Sequence, residues 1–287
     1  MPLLSAEFLT RLGRLGLASR RRAAGVQFGE RRSNRRGNSQ EFADHRPYVP
    51  GDDLRFLDWH LYGRLDALWI KLFEEEQDRV VQILIDTSAS MAGEKLDQAR
   101  RVAAALAAVS IARQDRVAVG GLDEGVRFRS PPRRGRENLL PVFRSIEELT
   151  VGSKTDLARA IDAWPRLRGA GIALLFTDFL HPDGPEPPLR RLLGRGLEVH
   201  VFQVVAPIEV RPAIDGDLLL IDEETGEELA LTVDEGVLDR YEAQVRQWLD
   251  HCATVCHGLG VGYARVLTST PVEDVVLTDL RRLGLVG

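Results

Sequence analysis

Cysteine is nearly absent: Cys252 and Cys256 are the only two among 287 residues. A disulfide framework is therefore excluded. Long apolar runs are missing too. A membrane-crossing helix needs ~20 apolar residues, whereas the most apolar helical stretch, Val102 to Ala112, is far shorter and contains Ser110. Glu7, Arg11 and Arg14 interrupt the N-terminus, so it lacks the apolar centre of a secretory signal. A cytoplasmic protein without membrane contact is the expectation. Lysine is scarce as well, with only Lys71, Lys95 and Lys154 in a chain whose other basic side chains are arginines. We read this as the composition of an Ala-, Arg- and Leu-rich genome.

Apolar residues make up 44% and charged residues 28% of the chain. That balance excludes a disordered chain or a fibrous repeat, and the length suffices for a sizeable core. The net charge of -5 gives no global steering toward nucleic acid. The charge is uneven, however. Residues 1–46 hold ten arginines and four acids, whereas residues 207–250 hold thirteen acids and three arginines. The Arg-rich run from Arg20 to Asn38 reads as a solvated linker, with an arm for polyanions or a protein partner as the sharper alternative.

Along the chain, Leu4, Phe8, Leu12 and Leu15 predict a short amphipathic helix over residues 3–17. Pro47, Pro50 and Gly51 mark a turn, and Trp69 to Phe73 alternates like a strand. From Val80 onward, short apolar runs alternate with helical stretches. Strands are expected at Val80–Ile85, Arg116–Leu122, Gly171–Thr177 and Glu198–Val205, with helices between them and a hairpin partner at Gly125–Arg129. That alternation predicts an α/β, doubly wound, mostly parallel sheet. Leu218–Asp222 and Glu228–Val233 read as a hairpin. A long helix from about Val237 to Leu259, a strand at Gly262–Leu267 and a closing helix over Val272–Leu283 complete the reading. The expected organisation is an N-terminal extension (1–79), the α/β domain (80–206), and a C-terminal hairpin with helices packing on it (207–287).

The run Asp86-Thr-Ser88-Ala-Ser90-Met91 stands where a parallel strand turns into a helix. Ligands of open α/β sheets bind at the carboxyl ends of strands. A carboxylate and two hydroxyls at alternating positions are hard oxygen donors, suited to Mg²⁺ or Mn²⁺. Thr155, in Gly152-Ser-Lys-Thr155-Asp156, and Asp178, ending the next apolar strand, belong to the same edge and add two oxygens.

These five residues resemble the metal-ion-dependent adhesion site of von Willebrand factor A-like domains. The surrounding chain also resembles a bacterial family catalogued as domain of unknown function fifty-eight. The resemblance rests on Arg36-Gly37, Glu41 through Asp53, Arg55, Leu57-Asp-Trp59, Lys71 and Phe73-Glu-Glu75, and extends to the Asp222–Gly226 turn and the last helix. Where members often carry a basic residue after the Asp-Trp pair, this chain has His60. The resemblance implies a von Willebrand A-like fold and metal held by Asp86, Ser88, Ser90, Thr155 and Asp178. It also implies partnership with a MoxR-type AAA+ ATPase and other A-like domain proteins in assembling or maturing client proteins. The expected function is a non-enzymatic, metal-dependent adaptor that receives an acidic partner side chain as the last ligand.

Other readings compete. Gly152-Ser-Lys-Thr resembles the end of a phosphate loop, but Ser153 and Glu148 stand where that motif needs glycines. A hydrolase would need a base near Ser88 or Ser90, and His181 is the candidate on that edge. Aspartyl-phosphate chemistry usually adds a carboxylate two residues after the nucleophile, where this chain has Ser88. Cys252 and Cys256, four apart on a helix, read as buried thiols rather than a redox or soft-metal pair. Asp52, Asp53, Arg55, Asp58 and Trp59 read as a salt-bridged clamp fixing the N-terminal segment to the sheet.

Overall fold

In the computed structural model, residues 3–15, 41–74, 79–152, 156–167, 171–221 and 228–282 are described. The chain divides into two units: residues 25–78, and residues 1–24 together with 79–287.

In the smaller unit, β1 (Glu41–Pro47) pairs antiparallel with β2 (Trp69–Glu74), and α2 (Trp59–Leu65) lies between them in sequence. Its aspartates brace its own backbone. Asp58 caps α2 by accepting from the His60 and Leu61 amides at 2.9 and 3.1 Å, and its other oxygen meets His45 Nε2 at 2.8 Å. Asp52 accepts two 2.6 Å bonds from Arg46 and one from the Val49 amide. Asp53 caps the short turn Leu54–Phe56 and takes the Arg55 guanidinium. The two turns and the helix start would otherwise leave amides unpaired.

The larger unit begins with α1 (Ala6–Leu12), shorter than residues 3–17 because Gly13 closes it. Ser5 caps its start, and Phe8 and Leu12 are buried in the same core as the helix α3 (Glu94–Ala112). The six-stranded sheet has the order β10-β7-β6-β3-β4-β5. Its strands are β3 (Val80–Asp86), β4 (Arg116–Leu122), β5 (Val126–Arg129), β6 (Gly171–Thr177), β7 (Glu198–Val205) and β10 (Gly262–Leu267). All neighbours run parallel except β5, which pairs antiparallel with β4. Every residue of β3 is buried, as befits a parallel strand covered on both faces.

Side chains alternate between two cores. Val81, Ile83 and Ile85 join α1, α3 and α4 (Leu139–Glu147) on one face. Leu84 joins α5 (Leu157–Ala163), α6 (Glu186–Gly194) and part of α8 (Glu235–Gly258) on the other. Each fully buried Leu, Ile or Phe stabilises by ~1.5–3 kcal/mol relative to exposure. Gln82 sits within the second core, where its Oε1 accepts from Trp164 Nε1 at 2.7 Å. The Trp164 ring lies over Gly120, where an added Cβ would stand 2.5 Å from Cζ3.

After β7 come a single turn, α7 (Pro207–Val210), and the hairpin β8 (Gly216–Ile221) with β9 (Glu228–Val233), which form a separate two-stranded sheet. The closing helix expected over Val272–Leu283 is present from Val272 to Arg282 but is not a uniform α-helix. A wide π turn at Val275–Asp279 separates Val272–Asp274 from Leu280–Arg282. Val272, Val275, Val276 and Leu280 line the buried face.

Candidate functional site

From β3 the chain builds outward on one side through β4 and β5, then returns to lay down β6, β7 and β10 on the other. The order reverses between β3 and β6, and the crevice beyond such a reversal is where α/β sheets bind ligands. Asp86 ends β3 and Asp178 follows the last residue of β6.

Asp86 is 1% exposed. Its Oδ1 accepts the Ser88 amide at 3.0 Å, and its Oδ2 accepts the Thr177 hydroxyl at 2.7 Å. Thr177 Oγ1 accepts in turn from the Phe179 amide at 3.0 Å, which fixes the turn leaving β6. Ser88 is fully buried, and its Oγ lies 3.1 Å from the Oγ of half-buried Ser90. A short turn at Ala89–Met91 sets these two hydroxyls side by side, with Met91 anchored in the core. Burial, and after it the neighbouring Asp178, pushes the Asp86 carboxyl above the ordinary carboxylate range.

Asp178 is 4% exposed. Its Oδ1 accepts the Leu180 amide at 2.9 Å and its Oδ2 accepts the Lys95 ammonium at 2.7 Å. Lys95, in the first turn of α3, also donates to Glu209 of α7. Burial works against the charged lysine, but Asp178 and Glu209 outweigh it and hold its pKa above the ordinary value. The neighbouring loop is tied to the same edge. The Gly152 amide donates to the Thr87 carbonyl at 2.5 Å, and the Asp156 amide donates to the Asp123 carbonyl at 3.0 Å. The helix after this loop starts at Leu157, with Asp156 as its cap. Thr155 lies outside the described residues.

A family model described as "Protein of unknown function DUF58" matches residues 44–249. The chain belongs to the DUF58 family. Similar proteins include two described as uncharacterized. One, from Mycobacterium tuberculosis, is 29% identical over 95% of this chain and 90% of its own length. Another, from Mycobacterium avium, is 36% identical over 39% of this chain and 69% of its own length. Among solved structures, BatB from Bacteroides thetaiotaomicron has 18% identity and a TM-score of 0.42, covering 71% of this chain and 98% of its own. An aerotolerance-related membrane protein from Bacteroides fragilis has 17% identity and a TM-score of 0.46, with the same coverage.

In this DUF58 chain, the donor chemistry at the edge suits a hard divalent ion. Adjacent oxygens around octahedral Mg²⁺, each ~2.1 Å from the ion, stand about 3 Å apart, close to the 3.1 Å between Ser88 and Ser90. Asp86 is buried beside the like-charged Asp178, and the Lys95 ammonium meets Asp178, so added positive charge relieves Asp86. Among the described residues, no cluster of three His, Cys, Asp or Glu side chains forms a ligand set. Any ion here depends on hydroxyl oxygens.

Lys95, Thr177 and Glu209 were not singled out from the sequence. Thr177 could have been found as the polar residue ending a buried apolar strand. The competing readings also meet specific geometry. His181 Nε2 is buried without a partner, and the Ser88 and Ser90 hydroxyls meet each other rather than that ring. Burial lowers the His181 pKa, against the pull of Asp183, Asp178 and Asp156. Cys252 and Cys256 are fully buried beside the sheet, and burial pushes their thiols up to about 11 and about 12. Thiols so protonated are poor nucleophiles and poor metal ligands. Among the described residues, no helix is long and apolar enough to cross a membrane.

Proposed function

We propose that the sheet is a von Willebrand A-like domain and that the chain is a cytoplasmic protein-binding module dependent on Mg²⁺ or Mn²⁺. The observation that carries this reading is the convergence of Asp86, Ser88, Ser90 and Asp178 at the strand-order reversal. Asp86, Ser88 and Ser90 would hold the ion, with Thr155 and Asp178 completing the set directly or through water. When bound, the ion supplies a coordination position for an anionic ligand from outside. Hydroxyl-rich ligation leaves its charge under-neutralised, so a Glu or Asp of a partner is the ligand of choice. The buried carboxylates fix donor positions, and the Thr177–Phe179 turn holds Asp178 at the crevice. The resemblance suggests a MoxR-type AAA+ ATPase as the partner, with this chain as adaptor or co-chaperone.

The test is co-precipitation of a purified MoxR-type ATPase of the same genome with the full chain, in Mg²⁺ and in EDTA. Capture should require Mg²⁺ and disappear in a folded Ser88→Ala variant. Capture that is indifferent to both would refute the ion-bridged docking.

A further inference from the structure

Lys95 is the component of this edge that ion coordination does not require. It stands in the first turn of α3, where the helix dipole disfavours a cation, and its side chain is 5% exposed. A buried ammonium is costly unless paired. Its two partners come from different elements and differ in setting. The Asp178 side chain is 4% exposed and belongs to the crevice. The Glu209 side chain is 29% exposed and belongs to α7. Glu209 is fixed independently of Lys95: its Oε2 accepts the Ala206 amide at 2.9 Å and its carbonyl accepts the Tyr241 hydroxyl at 2.9 Å. The ammonium therefore has two pre-built carboxylate positions, one of which is a candidate metal ligand.

We infer that Lys95 is a positioning residue for the metal edge, a tethered counter-cation that neutralises Asp178 and passes to Glu209 when a divalent ion is taken up. This rests on the metal-binding reading above. A flexible four-carbon stem permits the shift between two carboxylates that share one ammonium. Lys95 thereby opposes ion uptake, whereas Glu209 favours it by offering the displaced ammonium a partner. The two residues should act in opposite directions and through one another, which a purely structural ion pair would not produce.

The test is isothermal titration of the full chain with Mn²⁺, comparing wild type, Lys95→Met, Glu209→Gln and the double variant. Folding is checked by circular dichroism in EDTA. The expected result is Mn²⁺ binding tightened about tenfold or more in Lys95→Met and weakened about tenfold in Glu209→Gln. In the Lys95→Met background, Glu209→Gln should have little further effect. If Lys95→Met does not fold, Glu209→Gln decides alone: weaker binding supports the handover and unchanged binding overturns it. Wild-type binding that ignores both substitutions overturns the role of Lys95 and leaves the metal edge standing. Absence of Mn²⁺ uptake in every folded variant overturns both.

Discussion

Replacing Ser88 with alanine should separate ion binding from folding. The Ser88 amide donates to Asp86 Oδ1, and alanine keeps that bond. What is lost is the hydroxyl's contact with Ser90, at 3.1 Å, and its hydrogen bond to the Asp86 carboxylate. Ser90 is half-buried, so its hydroxyl can turn to water and is not orphaned. The expected cost in EDTA is therefore about 1–3 kcal/mol, at roughly 2–4 °C of Tm per kcal/mol for a chain of this order of size. The effect on ion binding should be much larger. Even outer-shell changes at metal sites cost about 10–100-fold in affinity, and Ser88 is a candidate direct ligand. At an Mn²⁺ concentration 100 times its Kd, the wild type gains ~2.7 kcal/mol of stability. Affinity weakened 10–100-fold would cut the gain in the variant to roughly 0.4–1.4 kcal/mol. Chemical denaturation with and without Mn²⁺ measures both quantities. A variant that keeps the full Mn²⁺ increment would refute ligation by Ser88. A loss above about 3 kcal/mol in EDTA would mean that the hydroxyl mainly serves the fold.

Two further outcomes test the surrounding structure. Gly120→Ala places a Cβ 2.5 Å from the fully packed Trp164 ring and should destabilise by about 1–3 kcal/mol through overpacking; an unchanged denaturation midpoint would contradict that packing. Cys252 and Cys256, with thiols pushed up to about 11 and about 12 by burial, should ignore a thiol-specific chromogenic disulfide at pH 8 until denaturant is added. Rapid labelling of the native protein would contradict their burial.

The sheet was legible because parallel strands covered on both faces write continuous apolar runs. Val80–Ile85 and Gly171–Thr177 are such runs, and their ends locate Asp86 and Asp178. The strand order is a different matter. It depends on which neighbour each helix returns beside, and no local pattern encodes that choice. The crevice was therefore expected only at the carboxyl ends of the strands, and the reversal between β3 and β6 that forms it was found in the fold. The π turn at Val275–Asp279 was hidden for a similar reason. Val272, Val275, Val276 and Leu280 keep ordinary helical spacing, so nothing in the apolar pattern marks it. Asp52, Asp53 and Asp58 were read as a clamp onto the sheet. The bonds described above show them serving turns and a helix start within their own unit, a capping role that a local turn signal already permits.

The scarcity of lysine proved more informative than composition suggested. Arginine is the usual cation of buried ion pairs, because its planar fork grips a carboxylate with two parallel bonds. This chain uses arginine almost everywhere, including the paired contacts of Arg79 with Asp115 at 2.8 and 2.5 Å. At the most enclosed ion pair of the sheet edge it uses Lys95 instead. A compact ammonium between Asp178 and Glu209 is shared by single bonds, so it can leave one carboxylate without breaking a fork. Lys95→Arg should accordingly be a poor replacement, even though it keeps the charge. If the edge needs a cation only to hold the fold, arginine would serve once accommodated. If the cation must yield Asp178 to an ion, the residue that binds less rigidly is the one the physics selects.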